Sequence, residues 1–100
     1  MPDIHIVRDH ALGLAAARDL AFHWAQKAEA KWGVECAYEE GMEQDLVTFS
    51  RPGANGELRV TGERFEFDAR LGVMLGVFRE RIEAEVVKNL DELADAKGRS

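Results

Sequence analysis

The stretch DARLGVMLGVFRERIEAEVVKNLDEL, Asp68 to Leu93, decides how the rest of the chain is read. At about 100° per residue, Leu71, Met74, Leu75, Phe78, Ile82, Val86 and Leu93 fall on one narrow stripe, which predicts a helix docked on a core. Burying those side chains contributes on the order of 10–20 kcal/mol, most of which chain entropy offsets. Val73, Val77 and Ala84 lie opposite the stripe and form a candidate contact surface. Gly72 and Gly76 have the GxxxG spacing but sit in no membrane span, so they read as a close approach of the helix start to the sheet or the neighbouring helix.

Working outward, residues 3–8 (DIHIVR) alternate as a short strand, and Asp9 is placed to cap a helix running from about His10 to Trp32. Leu14, Ala17, Ala21, Trp24, Ala25, Ala28 and Trp32 share one face of that helix, and Gly33 stops it. Phe22 lies off the stripe. Four strand-like runs follow at 34–39, 45–51, 57–61 and 64–70, with Gly41, the Pro52-Gly-Ala-Asn-Gly56 stretch and Gly62-Glu63 supplying the turns and Asn55-Gly56 the strongest hairpin signal. Val34, Cys36 and Tyr38 alternate with Glu35 and Glu39, and Phe65, Phe67 and Ala69 with Glu66 and Asp68, so one sheet face is apolar and the other polar. The expected fold is α+β: a two-layer sandwich in the order β-α-β-β-β-β-α, with a mainly antiparallel five-stranded sheet and both helices on one face. Residues 1–96 form one domain in this reading and 97–100 a frayed tail.

Nineteen acidic residues against thirteen Lys and Arg give a net charge of −6, which argues against unaided binding to nucleic acid or anionic membranes. Nine of the thirteen basic residues lie in the second half of the chain, so any anion would be met there. The lone Cys36 and an N-terminus, MPDIHIVRDH, without the regions of a secretory signal lead to the expectation of a reducing cytoplasm. The longest apolar run, Val73 to Phe78, is far short of the roughly 20 residues of a membrane span.

His5, His10 and Cys36 have no recognised ligand spacing, so no metal site is expected and they read as two exposed imidazoles and an ordinary buried thiol. Cys36 points toward the apolar layer, where thiols are inert, and forms no nucleophile pair. The acidic cluster Glu39, Glu40, Glu43 and Asp45 around Gly41 lacks the ligand positions of a calcium loop and reads as a solvated hairpin. No acid, base and nucleophile assemble, so no catalytic residue, no cofactor and no enzymatic activity is expected.

The stretches His10-Ala-Leu-Gly13, Cys36-Ala-Tyr-Glu-Glu-Gly41, Phe49-Ser-Arg-Pro-Gly53 with Gly56-Glu-Leu-Arg-Val60, and Asp68-Ala-Arg-Leu-Gly72 through Arg81-Ile-Glu-Ala-Glu85 resemble the polyhydroxyalkanoic acid system proteins. The resemblance implies a bacterial setting at or near polyhydroxyalkanoate storage granules and brings no catalytic residue or cofactor. Combined with the shape of the chain, it implies a non-enzymatic accessory or adaptor protein that binds a protein partner or the granule surface through apolar helix faces. The alternative is a small apolar-ligand binder with a cavity between helices and sheet, although Trp24, Trp32, Phe65, Phe67 and Phe78 are expected to fill that space.

A C-terminal helix from Leu71 to about Ala96 would be roughly 39 Å long, against about 20–23 Å for the strands. The overhang would leave Val86, Val87, Leu90 and Leu93 partly exposed, and a two-fold homodimer would bury them. With Val73, Val77 and Ala84 these residues make up the candidate interaction surface.

Overall fold

A computed structural model describes residues 3–95, so the expected frayed tail at 97–100 lies outside the described residues. The elements are β1 (Ile4–Asp9), α1 (Leu14–Trp32), β2 (Glu35–Glu39), β3 (Gln44–Arg51), β4 (Ala54–Thr61), β5 (Arg64–Leu71), α2 (Val73–Gly76) and α3 (Arg79–Ala94). The strands make one antiparallel open sheet in the order β1-β5-β4-β3-β2. Helix α1 packs over β2, β3 and β4, and α3 over β1 and β5, so the expected α+β sandwich is the observed one.

Alternation and periodicity select the core. Ile4, Ile6, Val47, Leu58, Val60 and Phe65 of the sheet meet Ala17, Ala21, Trp24, Ala25 and Ala28 of α1 and Val86 and Leu90 of α3. The alanine face lets α1 lie close to the strands, as its sequence implied. Phe22, off that face, packs edge-on against Tyr38 with centroids 5.7 Å apart. Gly33 ends α1 in the left-handed conformation, φ 66°.

Helix α1 starts four residues later than expected, at Leu14, without a side-chain cap. Asp9 closes β1 instead, where Arg64 donates to its carboxylate at 3.1 Å. The β3–β4 turn is Pro52-Gly53 and not Asn55-Gly56: Arg51 pairs with Ala54, and Asn55 and Gly56 run inside β4. Proline sets φ for the first turn position, and Gly53 takes φ 88° at the second, which a side chain would oppose.

The largest correction concerns the C-terminal stripe. Leu71 belongs to β5, and the single expected helix is broken between Gly76 and Arg79, where the Phe78 N–H bonds the Leu75 carbonyl three residues back. Gly72 makes the expected close approach, its N–H donating to the Gly53 carbonyl at 2.7 Å, but a side chain at Gly76 would meet open space, so that glycine serves no close approach and instead weakens the helix. The break turns Met74 and Phe78 out of the core, to 83% and 51% exposed. Helix α3 has 16 residues and is about 24 Å long, close to the span of its sheet. Val86 and Leu90 are buried in the monomer, and Val87 and Leu93 are half-buried, so the overhang that suggested a dimer does not exist.

Cys36 faces α1 as the alternation implied, its thiol 3.5 Å from the Ala25 carbonyl. Burial, with Glu29 nearby, pushes the thiol up to about 11. The reactive thiolate is then roughly a hundredfold scarcer than at an exposed cysteine. Labelling with a thiol reagent at pH 8 is expected to be slow by about that factor in the native protein and fast after denaturation, and equal rates would overturn this placement of β2.

Candidate functional site

Small residues leave a hole between the layers. On the inner sheet face Gly56 of β4 stands between Phe49 of β3 and Ala69 of β5, and Ala54 pairs with Leu71. Further along the same strands Leu58, Val60 and Phe65 fill the layer. A Cβ on Gly56 would come within 3.2 Å of the Asp68 carbonyl oxygen, a tight contact with the neighbouring strand that the glycine avoids while keeping this floor low. The two helices cover different strands, α1 over β2, β3 and β4 and α3 over β1 and β5. An open apolar pocket of about 490 Å³ results, within the range of small-molecule sites.

Of the bulky rings expected to fill this space, Trp24, Trp32, Phe67 and Phe78 wall it instead, and Phe65 alone is packed in the filled part of the layer. Trp24 meets Phe49, Phe67 and Trp32 edge-on at 5.4, 6.1 and 6.2 Å, a rigid aromatic cluster on one side. Leu75, Phe78, Ile82 and Val86 form the other side. Lys31, Arg51, Arg81 and Glu85 also line the pocket, three cations against one carboxylate in a chain whose net charge is negative. Lys31 pairs with Glu85 across the helices, and Arg51 donates to the Trp32 carbonyl at 2.7 Å. Arg81 makes no ion pair or hydrogen bond among the described residues.

Beside the pocket the break between α2 and α3 projects an apolar lip. Val73, Met74 and Val77 are 94%, 83% and 78% exposed, and Phe78 is shared between the lip and the pocket wall. Of the interaction surface expected from the sequence, Val73, Val77 and Ala84 are exposed. Val86 and Leu90 are core and cannot reach a partner, while Val87 and Leu93 are half-buried. The spacing of Met74 and Phe78 places them in the core, and only the break reveals them as surface.

The other polar features have their own explanations. Asp45, within the acidic hairpin, is fully buried rather than solvated. Arg18 donates to its two oxygens at 2.7 and 2.9 Å, the Tyr38 hydroxyl at 2.7 Å and the Gly41 N–H at 3.1 Å. That clamp ties α1 to the β2–β3 hairpin, and no sequence spacing announced it. His10, expected to be an exposed imidazole, is half-buried against Phe65 with centroids 4.5 Å apart, and its Nδ1 accepts from the Leu12 N–H. Burial lowers its pKa.

On the outer sheet face His5 bonds Asp68, with Glu66 3.9 Å away, and the Asp68 bond raises the pKa of the imidazole. The three could share a cation, but all are solvated and Glu66 is already held by Arg59. A surface ion-pair network accounts for them.

Residues 4–93 match the family described as "Putative polyhydroxyalkanoic acid system protein". No curated protein and no solved structure matches the chain. No helix among the described residues is long and apolar enough to cross a membrane.

Proposed function

Because the chain belongs to the polyhydroxyalkanoic acid system protein family, we propose that it is a non-enzymatic accessory module of polyhydroxyalkanoate storage that seats on the granule surface through the lip of Val73, Met74, Val77 and Phe78. The observation that carries this reading is the lip: four large apolar side chains within six residues, each at least half exposed, on a projection where the helix is broken. Transfer of each to an apolar phase is worth about 1.5–3 kcal/mol when complete. A stored aliphatic polyester offers an uncharged apolar phase, and an acidic protein meets no charge repulsion there. A compact domain that inserts one lip differs from a coat built of a long amphipathic helix, which suits an accessory role.

Co-sedimentation with protein-free polyhydroxyalkanoate particles tests it. The native protein is expected to pellet, and the double variant Val73→Asp, Val77→Asp to bind at least tenfold more weakly with an unchanged melting temperature, since neither valine supports the core. Equal pelleting of the two would sink the proposal. Pelleting that requires another granule protein would make that protein the docking partner. Self-pairing of two copies is a second reading, favoured by the same exposed lip. A mass by light scattering that stays near 11.2 kDa on concentration excludes it.

A further inference from the structure

The pocket beside the lip has a chemistry of its own, and its lining separates into two parts. The interior is hydrocarbon and aromatic: Trp24, Phe49, Phe67, Leu75 and Ile82 line it, and the floor of Gly56 and Ala69 offers no side-chain polar group. Besides the charged groups, Asn55 and the indoles of Trp24 and Trp32 are its only polar side chains, so the chamber takes an aliphatic chain far better than a second charged or hydroxyl-rich segment. The charged lining groups are Lys31, Arg51, Arg81 and Glu85, together two positive charges in excess. The overall balance of the molecule is −6, so this local excess runs against the whole-protein field.

Among these cations Arg81 is the one left over. Glu85 is engaged by Lys31, and Arg51 spends one N–H on the Trp32 carbonyl. Arg81 has no partner among the described residues, and its guanidinium offers the planar fork that pairs with a carboxylate through two parallel hydrogen bonds.

The geometry points to a site for a free aliphatic monocarboxylic acid, of the hydroxyalkanoic acid class from which the family's polymer is built, with its chain between the helices and the sheet and its carboxylate on Arg81. The choice of a hydroxyalkanoic acid rests on the proposed storage role, but the site does not depend on surface seating: Val73, Met74 and Val77 form the lip and do not line the pocket, whereas Arg81 lines the pocket and is not part of the lip. A module that sits on the polymer and holds its monomer would report the balance between stored and released acid.

Trp24 and Trp32 both line the pocket, so their fluorescence reports its occupancy. The probes are 3-hydroxydecanoate and its methyl ester, each titrated into the 100-residue chain in low and high salt. The acid is expected to change the tryptophan signal saturably, to bind at least tenfold more tightly than the ester, and to weaken as salt rises. Arg81→Glu is expected to abolish the preference for the acid while leaving the melting temperature unchanged, and Arg81→Lys to retain part of it. Equal affinity for acid and ester in the native protein, or an Arg81→Glu variant that binds the acid as well as the native chain, overturns the inference. A signal unchanged by either probe, confirmed by unshifted methyl resonances of Leu75 and Ile82, overturns it as well. The double variant Val73→Asp, Val77→Asp is expected to bind 3-hydroxydecanoate normally, so failure of the pocket and failure of the lip are read separately.

Discussion

Replacing Leu90 by Ala is expected to lower the unfolding free energy by about 2–5 kcal/mol. Leu90 is fully buried where α3 crosses the sheet, beside Val86. Removing its branched end leaves a cavity that a helix pinned on both sides cannot collapse into. Phe78→Ala, although it deletes a larger side chain, is expected to cost much less, because half of that ring is already in water. Paired urea titrations of the two variants check the contrast, and the order would reverse if the C-terminal helix ran unbroken with the stripe of its sequence inward. For the same reason Leu90→Glu is expected to unfold the domain, where a surface position would have tolerated it.

Asp45→Ala is expected to cost about 3 kcal/mol, toward the low end of the range for breaking a buried ion pair. The carboxylate is fully buried, but its partner Arg18 is 28% exposed and recovers some hydration when left alone. The loss should also carry a pH signature. Burial alone would push the Asp45 carboxyl up, yet the Arg18 guanidinium, the Tyr38 hydroxyl and the Gly41 N–H outweigh it and hold the pKa below the ordinary carboxylate value of 3.8. A depressed folded value means that the stabilisation is fully present above 3.8 and disappears as the pH falls through the folded value. Asp45→Asn is therefore expected to be destabilised at neutral pH and to show a shallower further loss below 3.8. An acid titration of its melting temperature parallel to that of the native chain would refute the role of the clamp. Burial, and then the bond to Asp45, push the Tyr38 phenol upward against the pull of Arg18, so it stays a donor to Asp45 at any pH near neutral.

The readings that succeeded share a cause. Strand alternation at Cys36, Phe65 and Phe67, the alanine face of α1 and the stop at Gly33 are local properties of the backbone, set by periods of two and 3.6 residues that any neighbour must respect. The readings that failed required two segments to be compared. Asn55-Gly56 is the stronger turn signal in isolation, but Pro52-Gly53 closes the hairpin that puts Leu58 and Val60 opposite Val47 and Phe65 on the core side. A turn is chosen by the register it permits, since a one-residue slip would carry that whole face into water. The stripe from Leu71 to Phe78 failed likewise, because it runs through a strand end, one helical turn and a break, and apolar spacing carries no mark of where the backbone changes direction.

Taken alone, the sequence determined an acidic α+β domain with two helices on one apolar sheet face, the inward placement of Cys36 and the family to which the chain belongs, all of which follow from periodic local patterns or from motifs read in line. Tertiary structure decided the pocket, the clamp and the Met74 and Phe78 part of the lip, whose Val73 and Val77 the sequence already placed on an exposed face. The lip exists because the chain turns at Gly76 and exposes Met74 and Phe78. The pocket exists because Gly56 and Ala69, thirteen residues apart, fall side by side in the sheet. The clamp exists because Arg18 comes from a helix that lies over the hairpin holding Asp45. Each is a coincidence in space between residues distant in sequence, fixed by strand register and helix packing, and a one-dimensional pattern does not encode such distances.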